Sequence, residues 1–247
     1  MLIHHLIVFS RAPVLGATKT RLAGEVGAAA ALAFHVACLR DLIAVCVATL
    51  ERLRAMGHGA EGHIFLTPPG SEAAFAAAGV AWPGSWHVHQ QEGETLGSRM
   101  AHALEKVIGS GNRAGPPDGV RALLCGSDVP LVTTEHLLRG FSALADADAV
   151  FGPTPDGGYH LVGLTQPAPQ LFELAAWGHG GVLAQTLARG LATGLPARLL
   201  APLPDVDTQA DIAAVLEHPL ASQLHDREAL RLLRDWRESG GDDPAGT

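Results

Sequence analysis

The chain has 247 residues, of which 47% are hydrophobic and 17% charged, and its formal net charge is −8. This is enough apolar material for the buried core of an α/β domain. Nucleic acids and anionic membranes require broad basic surfaces, so we expect neither as a partner, and an anionic ligand would need a local cluster of basic side chains. Three cysteines without a CxxC pair argue against a disulfide framework and a structural zinc site, and predict buried, reduced thiols.

The first half of the chain alternates predicted strands with predicted helices. Short apolar runs predict strands at 2–9, 63–67 and 86–90, and alanine- and leucine-rich stretches predict helices at 24–56, 71–78 and 96–108. The longest apolar stretch is interrupted by His35, Arg40 and Asp41, so it does not qualify as an uncharged membrane span. The apolar N-terminus lacks the features of a signal peptide. Together these features predict a soluble, cytoplasmic protein.

The second half continues the alternation after a loop rich in glycine and proline at 109–119. Strands are predicted at 120–125, 149–152, 159–164 and 197–200, and helices at 133–145, 169–174, 181–191 and 208–217. The glycine pair after Asp156 predicts a hairpin, because glycine adopts the positive φ angles of tight turns. We therefore predict one α/β domain over 1–236 with a mostly parallel, mixed sheet, followed by a disordered tail at 237–247.

A cationic loop follows the first predicted strand. It contains Arg11, Gly16, Lys19 and Arg21, and exposed amides beside several cations can bind phosphate. A solvated loop without a ligand is an equally good interpretation of this segment alone. A P-loop is excluded by the spacing, because the GxxxxGK[ST] pattern requires glycines where this chain has other residues.

Two acidic turns follow later strands. Asp128 comes directly after the strand at 120–125, and Asp205 and Asp207 follow the last strand. Ligands of open α/β sheets bind at the carboxyl ends of the strands, where Mg²⁺ takes one or two carboxylates together with substrate phosphates. Each aspartate alone fits an ordinary turn equally well.

Two further segments contain candidate site residues. Asp156, followed by Gly157 and Gly158, can contact an acceptor hydroxyl or act as a general base, although simple hairpin chemistry explains it equally well. Arg99 lies in the first turn of a predicted helix, where the helix dipole disfavours a cation, so a bound anion is its expected partner. The histidines, including His87 and His89, have no recognisable ligand spacing and are interpreted as structural or surface residues.

Several segments together resemble a known family. They are FSRAPVLGATKTRLA (9–23), QQEGETLGSRM (90–100), GSDVP (126–130), GPTPDGGYHLVGL (152–164), the Trp177–Gly178 pair and DVDT (205–208). In this order they resemble the bacterial GT-A-type nucleotide-diphospho-sugar transferases of the arsenosugar-biosynthesis kind. They are more distantly similar to the 2-phospho-lactate and molybdenum-cofactor guanylyltransferases. The chain differs at Thr95, where the family has an acidic residue (here the adjacent Glu94), and at Arg11, where the family often has lysine.

The resemblance implies a Rossmann-like GT-A fold of three α/β/α layers and a Mg²⁺ or Mn²⁺ cofactor. It implies Asp128 as a metal ligand, with Asp207 as the second candidate ligand and Asp205 as the alternative to it. Lys19 and Arg21 would bind phosphates, and Tyr159 and Trp177 would lie on the acceptor side.

These observations favour a metal-dependent glycosyltransferase that uses a nucleotide-sugar donor and a small-molecule acceptor. A nucleotidyltransferase that takes a nucleoside triphosphate (NTP) and releases pyrophosphate is the first alternative. A nucleotide-binding module without catalysis is the second. The oligomeric state is not predicted.

Overall fold

A computed structural model describes residues 1–109 and 119–238, and its centre is a seven-stranded sheet. The strands are β1 (Ile3–Arg11), β2 (Gly59–Thr67), β3 (His87–Gln90), β4 (Val120–Gly126), β5 (Ala149–Pro153), β6 (Tyr159–Leu164) and β7 (Ala197–Leu199). The α-helices are α1 (Thr20–Val26), α2 (Ala28–Ala55), α3 (Glu72–Ala77), α4 (Leu96–Gly109), α5 (Thr134–Ala143), α6 (Val182–Ala192), α7 (Gln209–Glu217), α8 (Pro219–Gln223) and α9 (Glu228–Glu238).

The strand order is β3-β2-β1-β4-β6-β5-β7. All neighbouring pairs are parallel except the two that involve β6, which runs antiparallel to both β4 and β5. The predicted mixed, mostly parallel sheet and the hairpin after Asp156 are therefore confirmed. The chain moves outward from β1 to β3 and then returns to place β4 on the other side of β1. This makes the β1–β4 boundary the topological switch point, where open α/β sheets bind ligands.

Two hydrophobic clusters cover the two faces of the sheet. Along β1, Leu6 and Val8 belong to the cluster that contains α2, whereas Ile7 and Phe9 belong to the cluster that contains α4. Successive residues of a strand point to opposite faces, so one continuous apolar run supplies both cores. This arrangement confirms the predicted α/β/α layering.

The long apolar stretch of the sequence forms a core helix. By length and hydropathy α2 could cross a membrane, but 67% of its most apolar window is buried inside the protein. It packs against β1, β2, α5 and α9. The predicted single helix at 24–56 is two helices, because Gly27, with φ 88°, separates α1 from α2.

Other boundaries also differ from the predictions. The loop predicted to run to Arg21 ends earlier, because α1 begins at Thr20. Residues 169–174 contain a 3₁₀ turn (Pro169–Phe172) rather than an α-helix, and α8 and α9 were not predicted. The predicted disorder is wrong for residues 237 and 238, which complete α9, while 239–247 and most of the predicted 109–119 loop lie outside the described residues.

The predicted helix caps are confirmed at Thr133 and Thr208 but not at Ser71, and the predicted cysteine thiols are confirmed. Thr133 caps α5 by accepting a hydrogen bond from the His136 amide, and Thr208 forms the predicted capping box with Asp211. Ser71 precedes α3, but its hydroxyl makes no capping hydrogen bond. All three cysteines are buried free thiols, as predicted.

Candidate functional site

A cleft of about 520 Å³ opens at the carboxyl ends of β1 and β4. Ten of the predicted site residues line it: Arg11, Lys19, Arg21, Arg99, Asp128, Asp156, Gly158, Tyr159, Trp177 and Asp207. Gly16 and Gly157 do not line the cleft. The cationic loop after β1 and the acidic turn after β4 therefore share one cavity, because their strands are neighbours in the sheet.

Lys19 is the direct link between the two segments. Its Nζ donates to the Val206 carbonyl at 2.6 Å and to Asp207 Oδ1 at 3.1 Å, and lies 3.2 Å from Asp128 Oδ1. An ammonium group has three donors, and three oxygen atoms surround this one. The Lys19 side chain is only 3% exposed, so its charge is directed at the two carboxylates rather than at the open cleft.

The ion pairs determine the charge states of this cluster. Burial by itself would lower the pKa of Lys19, but Asp128 and Asp207 outweigh it and raise that pKa. Burial would raise the pKa of Asp128, but Lys19 and His35 lower it well below its usual range. Asp128 is therefore a carboxylate at any physiological pH.

Asp207 reaches the cleft although it follows β7, the far edge strand. The chain after β7 runs back across the ends of the strands, as hydrogen bonds from Leu200 to Phe151, from Leu203 to Pro153 and from Val206 to Asp128 show. These backbone bonds carry the acidic segment from the sheet edge to its centre.

Asp205 lies on the same returning segment and also lines the cleft. Burial, followed by the nearby charges of Asp156 and Asp207, raises the pKa of Asp205 to about 6. The raised pKa belongs to Asp205 alone, and the charge of Lys19 opposes the shift without cancelling it.

Three arginines surround this acidic cluster. Arg21, whose side chain is 68% exposed, lies 3.6 Å from Asp207 Oδ2. Arg99 donates from Nε to the Gly93 carbonyl, and Arg11 makes a long contact of 3.5 Å with the Ala17 carbonyl. Each guanidinium has five donors, so these contacts leave most of the hydrogen-bonding capacity of the three side chains available to a ligand.

The hairpin between β5 and β6 forms another wall. Asp156 Oδ1 accepts hydrogen bonds from the Thr154 hydroxyl and from the Gly158 amide, which is the local geometry of an aspartate turn. A Cβ atom on Gly157 would lie 2.0 Å from the Gly180 carbonyl oxygen. Gly157 therefore permits close packing against the segment after Trp177 and does not itself face the cleft.

An aromatic pair closes the cleft on the α4 side. The rings of Tyr159 and Trp177 meet edge to face with centroids 6.4 Å apart. The indole Nε1 of Trp177 is buried and has no hydrogen-bond partner among the residues that the structure describes. Gly97, in the first turn of α4, makes room for this indole, because a Cβ atom there would lie 2.4 Å from it.

The family model described as "Uncharacterized protein conserved in bacteria (DUF2064)" matches residues 49–179, which is more than half of the chain. The chain belongs to this family. No protein with curated annotation matches the sequence of this DUF2064 member.

One solved structure is similar over its whole length. It is a protein from Desulfovibrio desulfuricans G20, described provisionally as a nucleotide-diphospho-sugar transferase. The identity is 27%, the TM-score is 0.80, and the match covers 97% of this chain and 98% of the other. The predicted resemblance to nucleotide-diphospho-sugar transferases is thereby confirmed for this DUF2064 chain.

Two nucleotidyltransferases are more distant. A 4-diphosphocytidyl-2C-methyl-D-erythritol synthase from Anaerococcus prevotii DSM 20548 has 13% identity and a TM-score of 0.49, covering 87% of this chain and 96% of that one. A CMP:2-keto-3-deoxy-manno-octonic acid synthetase complexed with CTP has 13% identity and a TM-score of 0.48, covering 90% and 99%. Likenesses at this level carry no argument about the function of this chain.

Sequence reasoning missed two polar residues around the cleft, His35 and Gln91. His35, which was considered only as an interruption of an apolar stretch, places Nδ1 3.7 Å from Asp128 Oδ1 and Nε2 3.1 Å from the Arg11 carbonyl. Gln91 donates to the Ser10 and Phe65 carbonyls and so joins the ends of β1 and β2. A polar residue inside an apolar run was the available signal for His35.

Thr95, where the resembled family has an acidic residue, has a local role in the structure. Its hydroxyl accepts a hydrogen bond from the Ser98 amide, and its own amide donates to the Ser98 hydroxyl. Thr95 thus satisfies amides at the first turn of α4, and the neighbouring Glu94 is exposed.

The acidic cluster suits a hard divalent cation. The contacts of Asp128 with Lys19, His35 and Ser127 all involve Oδ1. Oδ2 makes no hydrogen bond or ion pair within 1–109 and 119–238, and the side chain is 46% exposed. Carboxylate oxygens are the ligands that Mg²⁺ and Mn²⁺ prefer, so an ionised aspartate held through one oxygen fits such an ion.

Proposed function

We propose that this chain is a nucleotide-dependent transferase that uses a nucleotide-diphospho-sugar donor and a divalent metal ion. The single observation that supports it most strongly is the contact of Lys19 with Asp128 and Asp207, at 3.2 and 3.1 Å, in a cleft at the sheet's switch point. Similarity over the whole chain to a provisionally described nucleotide-diphospho-sugar transferase supports the donor class.

The acidic side of the cleft would hold the metal. Asp128 and Asp207 are the proposed ligands, with Asp205 as the alternative second carboxylate. When bound, Mg²⁺ or Mn²⁺ neutralises the charge that develops on a departing diphosphate. Lys19, which contacts both carboxylates, would position them, because its own donors are already directed at oxygen atoms of the protein.

The basic side would hold the phosphates. Arg11, Arg21 and Arg99 line the cleft and retain free donors, and guanidinium groups bind phosphate oxygens through paired hydrogen bonds. The cleft lies in a chain of net charge −8, so these local cations rather than the overall field would attract the nucleotide.

The hairpin and the aromatic wall would receive the acceptor. Asp156 would contact an acceptor hydroxyl, with Oδ1 held by Thr154 and Gly158. Tyr159 would contribute its ring to this wall, and burial raises the pKa of its phenol, which stays protonated. Trp177 Nε1 is a buried donor in the same wall and has no hydrogen-bond partner among the described residues.

A product assay tests the donor class. The untagged chain is incubated with nucleotide-sugars or NTPs, each with and without Mn²⁺, and the released phosphate compound is measured. Release of a nucleoside diphosphate from a nucleotide-sugar would support the proposal. Release of pyrophosphate from an NTP would replace it with nucleotidyl transfer, and binding without any release would indicate the non-catalytic module.

A further inference from the structure

A second cluster of potential ligands lies at the opposite end of the sheet from the cleft. It consists of His5 on β1, Glu61 and His63 on β2, and His87 on β3. His5 precedes Arg11 by six residues on β1, which at about 3.3 Å per residue separates it from the cleft end of that strand by roughly 20 Å. None of these four residues lines the cleft.

The strand register brings the four side chains together. His5 is opposite Glu61 in the β1–β2 pair, and His63 is opposite His87 in the β2–β3 pair. Each strand is parallel to its neighbour, and residues at the same level of adjacent strands point to the same face. The sequence separates these residues by up to 82 positions, so no short motif reveals the group.

The donor atoms of His5, Glu61 and His63 lie within 4.8 Å of one another, and His87 contacts the same carboxylate. His5 Nδ1 lies 3.0 Å from His63 Nε2, and these two nitrogens lie 3.7 and 4.0 Å from Glu61 Oε2. His87 Nε2 lies 3.6 Å from the same carboxylate oxygen. Tetrahedral zinc sites have bonds of about 2.0–2.2 Å to nitrogen and oxygen, which places their ligand atoms about 3.3–3.6 Å apart.

The surroundings of the cluster resemble those of a metal site rather than of a solvated surface. The side chains of His5 and His63 are only 6% exposed, whereas those of Glu61 and His87 are 46% and 55% exposed. The other ring nitrogen of His63, Nδ1, lies 3.2 Å from His89 Nε2. Such outer contacts fix the tautomer and orientation of a ligating histidine.

From this geometry we infer that His5, Glu61 and His63 form a binding site for a divalent transition metal of the zinc class, with His87 as the fourth ligand on the solvent side. Imidazole nitrogens favour Zn²⁺, Co²⁺ or Ni²⁺ over Mg²⁺ and Ca²⁺, which prefer oxygen. The ligands come from three adjacent strands, so the ion would join β1, β2 and the short edge strand β3. Its role is structural, and it does not depend on the proposed transferase function.

The test uses untagged chain from which a chelator has removed bound metal. Co²⁺ binding is monitored by visible absorption, and Zn²⁺ binding is measured by titration calorimetry. We expect one equivalent of Co²⁺ to give the absorption of a four-coordinate site. Zn²⁺ should displace it and raise the melting temperature. The exposed-ligand variants Glu61→Gln and His87→Asn should each weaken binding at least tenfold, and His63→Asn should abolish it.

Matched controls locate the ion. The buried pair His136 and His160, whose Nε2 atoms lie 3.0 Å apart, lacks the carboxylate, so His136→Asn should leave Co²⁺ binding unchanged. Asp128→Asn should leave the visible absorption of the four-coordinate Co²⁺ unchanged, which separates this site from the cleft. The inference is overturned if the chain binds no Co²⁺, or if both Glu61→Gln and His87→Asn bind it as tightly as the unmodified chain. Because both substituted side chains are about half exposed, misfolding would not obscure this result.

Discussion

The two ends of the central sheet offer different ligands to a cation. At the carboxyl ends of the strands, Asp128, Asp205 and Asp207 provide oxygen atoms, and Lys19 partly neutralises them. Near the amino ends, His5 and His63 provide nitrogen atoms with a single carboxylate beside them. One fold therefore presents a hard site of half-exposed carboxylates and a softer site with two buried imidazoles, and the two should be separable by choice of metal.

The difference also extends to the surroundings of each site. The oxygen end has arginines around it and a cleft of about 520 Å³ in front of it, so it can accept a large anionic ligand together with an ion. The nitrogen end lies between adjacent strands and is lined by stacked rings, including His63 on His87 at 4.9 Å and Phe65 on His89 at 4.4 Å. The first arrangement suits turnover, and the second suits a fixed structural ion.

The largest expected effect is that of Asp128→Asn. Loss of this carboxylate should reduce transferase activity about 100-fold or more, because the proposed metal ligand and partner of Lys19 is removed. Co²⁺ binding at the histidine cluster should stay unchanged. Steady-state product release measures the cleft, and the Co²⁺ absorption spectrum measures the histidine cluster. If Asp128→Asn lowered both activity and Co²⁺ binding at the histidine cluster, the two sites would not be independent.

The second effect concerns the stability of the acidic cluster. Lys19→Met leaves Asp128 and Asp207 without their buried counter-charge, and because both carboxylates are half exposed we expect a loss of about 2 kcal/mol in the free energy of unfolding. Mn²⁺ should recover part of that loss. Urea unfolding with and without Mn²⁺ measures both quantities.

The control for this prediction is Lys106→Met, at the only other lysine of the chain. Lys106 is 42% exposed and pairs with Glu92 at 3.5 Å, so its removal should change the unfolding free energy by less than about 0.5 kcal/mol. Equal effects of the two substitutions would contradict the assigned role of Lys19.

A smaller effect is expected on the basic side of the cleft. Arg21→Ala should raise the KM for the nucleotide donor about tenfold, with little change in kcat, because a phosphate contact made before and during reaction is removed. Arg139→Ala is the matched control, since Arg139 is an exposed arginine on α5 whose ion pair within the described part of the chain is with Glu135. An unchanged KM for Arg21→Ala would remove this arginine from the phosphate site.

At neutral pH the smallest effect is that of the histidine pair without a carboxylate, because it develops only as the pH falls. Burial, with nearby charge, lowers the pKa of His136 to about 4 and that of His160 to about 3. The unfolded chain therefore binds protons below about pH 6.5 that the folded chain does not, so stability is lost as pH falls from 6.5 towards 4. Each histidine contributes a slope of up to about 1.4 kcal/mol per pH unit.

The double variant H136N/H160N should show a shallower loss of stability between pH 6.5 and 4.5 than the unmodified chain, as measured by urea unfolding at several pH values. It should still bind one equivalent of Co²⁺. An identical pH dependence would mean that the pair does not exchange protons on unfolding.

The sequence predicted those parts of the site that depend on local order along the chain. Strand ends, the cationic loop and the glycine turn follow from short patterns, so Lys19, Asp128 and Asp156 could be named before the structure was known. Because parallel strands end at one edge of a sheet, their convergence could also be expected. The roles assigned to these residues remain predictions.

The remaining features depend on long-range pairing, which short patterns do not encode. The return of residues 200–206 across the sheet brings Asp207 to Asp128 through backbone hydrogen bonds between distant segments. His5 meets His63 only through the β1–β2 register. Lys19 contacts two carboxylates because its side chain is buried between them, and the sequence alone suggested only a phosphate ligand.

The most direct test of the central claim is the melting temperature of the chain with a nucleotide-diphospho-sugar, measured with and without Mn²⁺, for the unmodified protein and for Asp128→Asn. The account predicts a stabilisation that requires Mn²⁺ in the unmodified protein and is absent in the variant. A Mn²⁺-dependent stabilisation of equal size in Asp128→Asn would contradict the claim that this carboxylate holds the metal in the cleft.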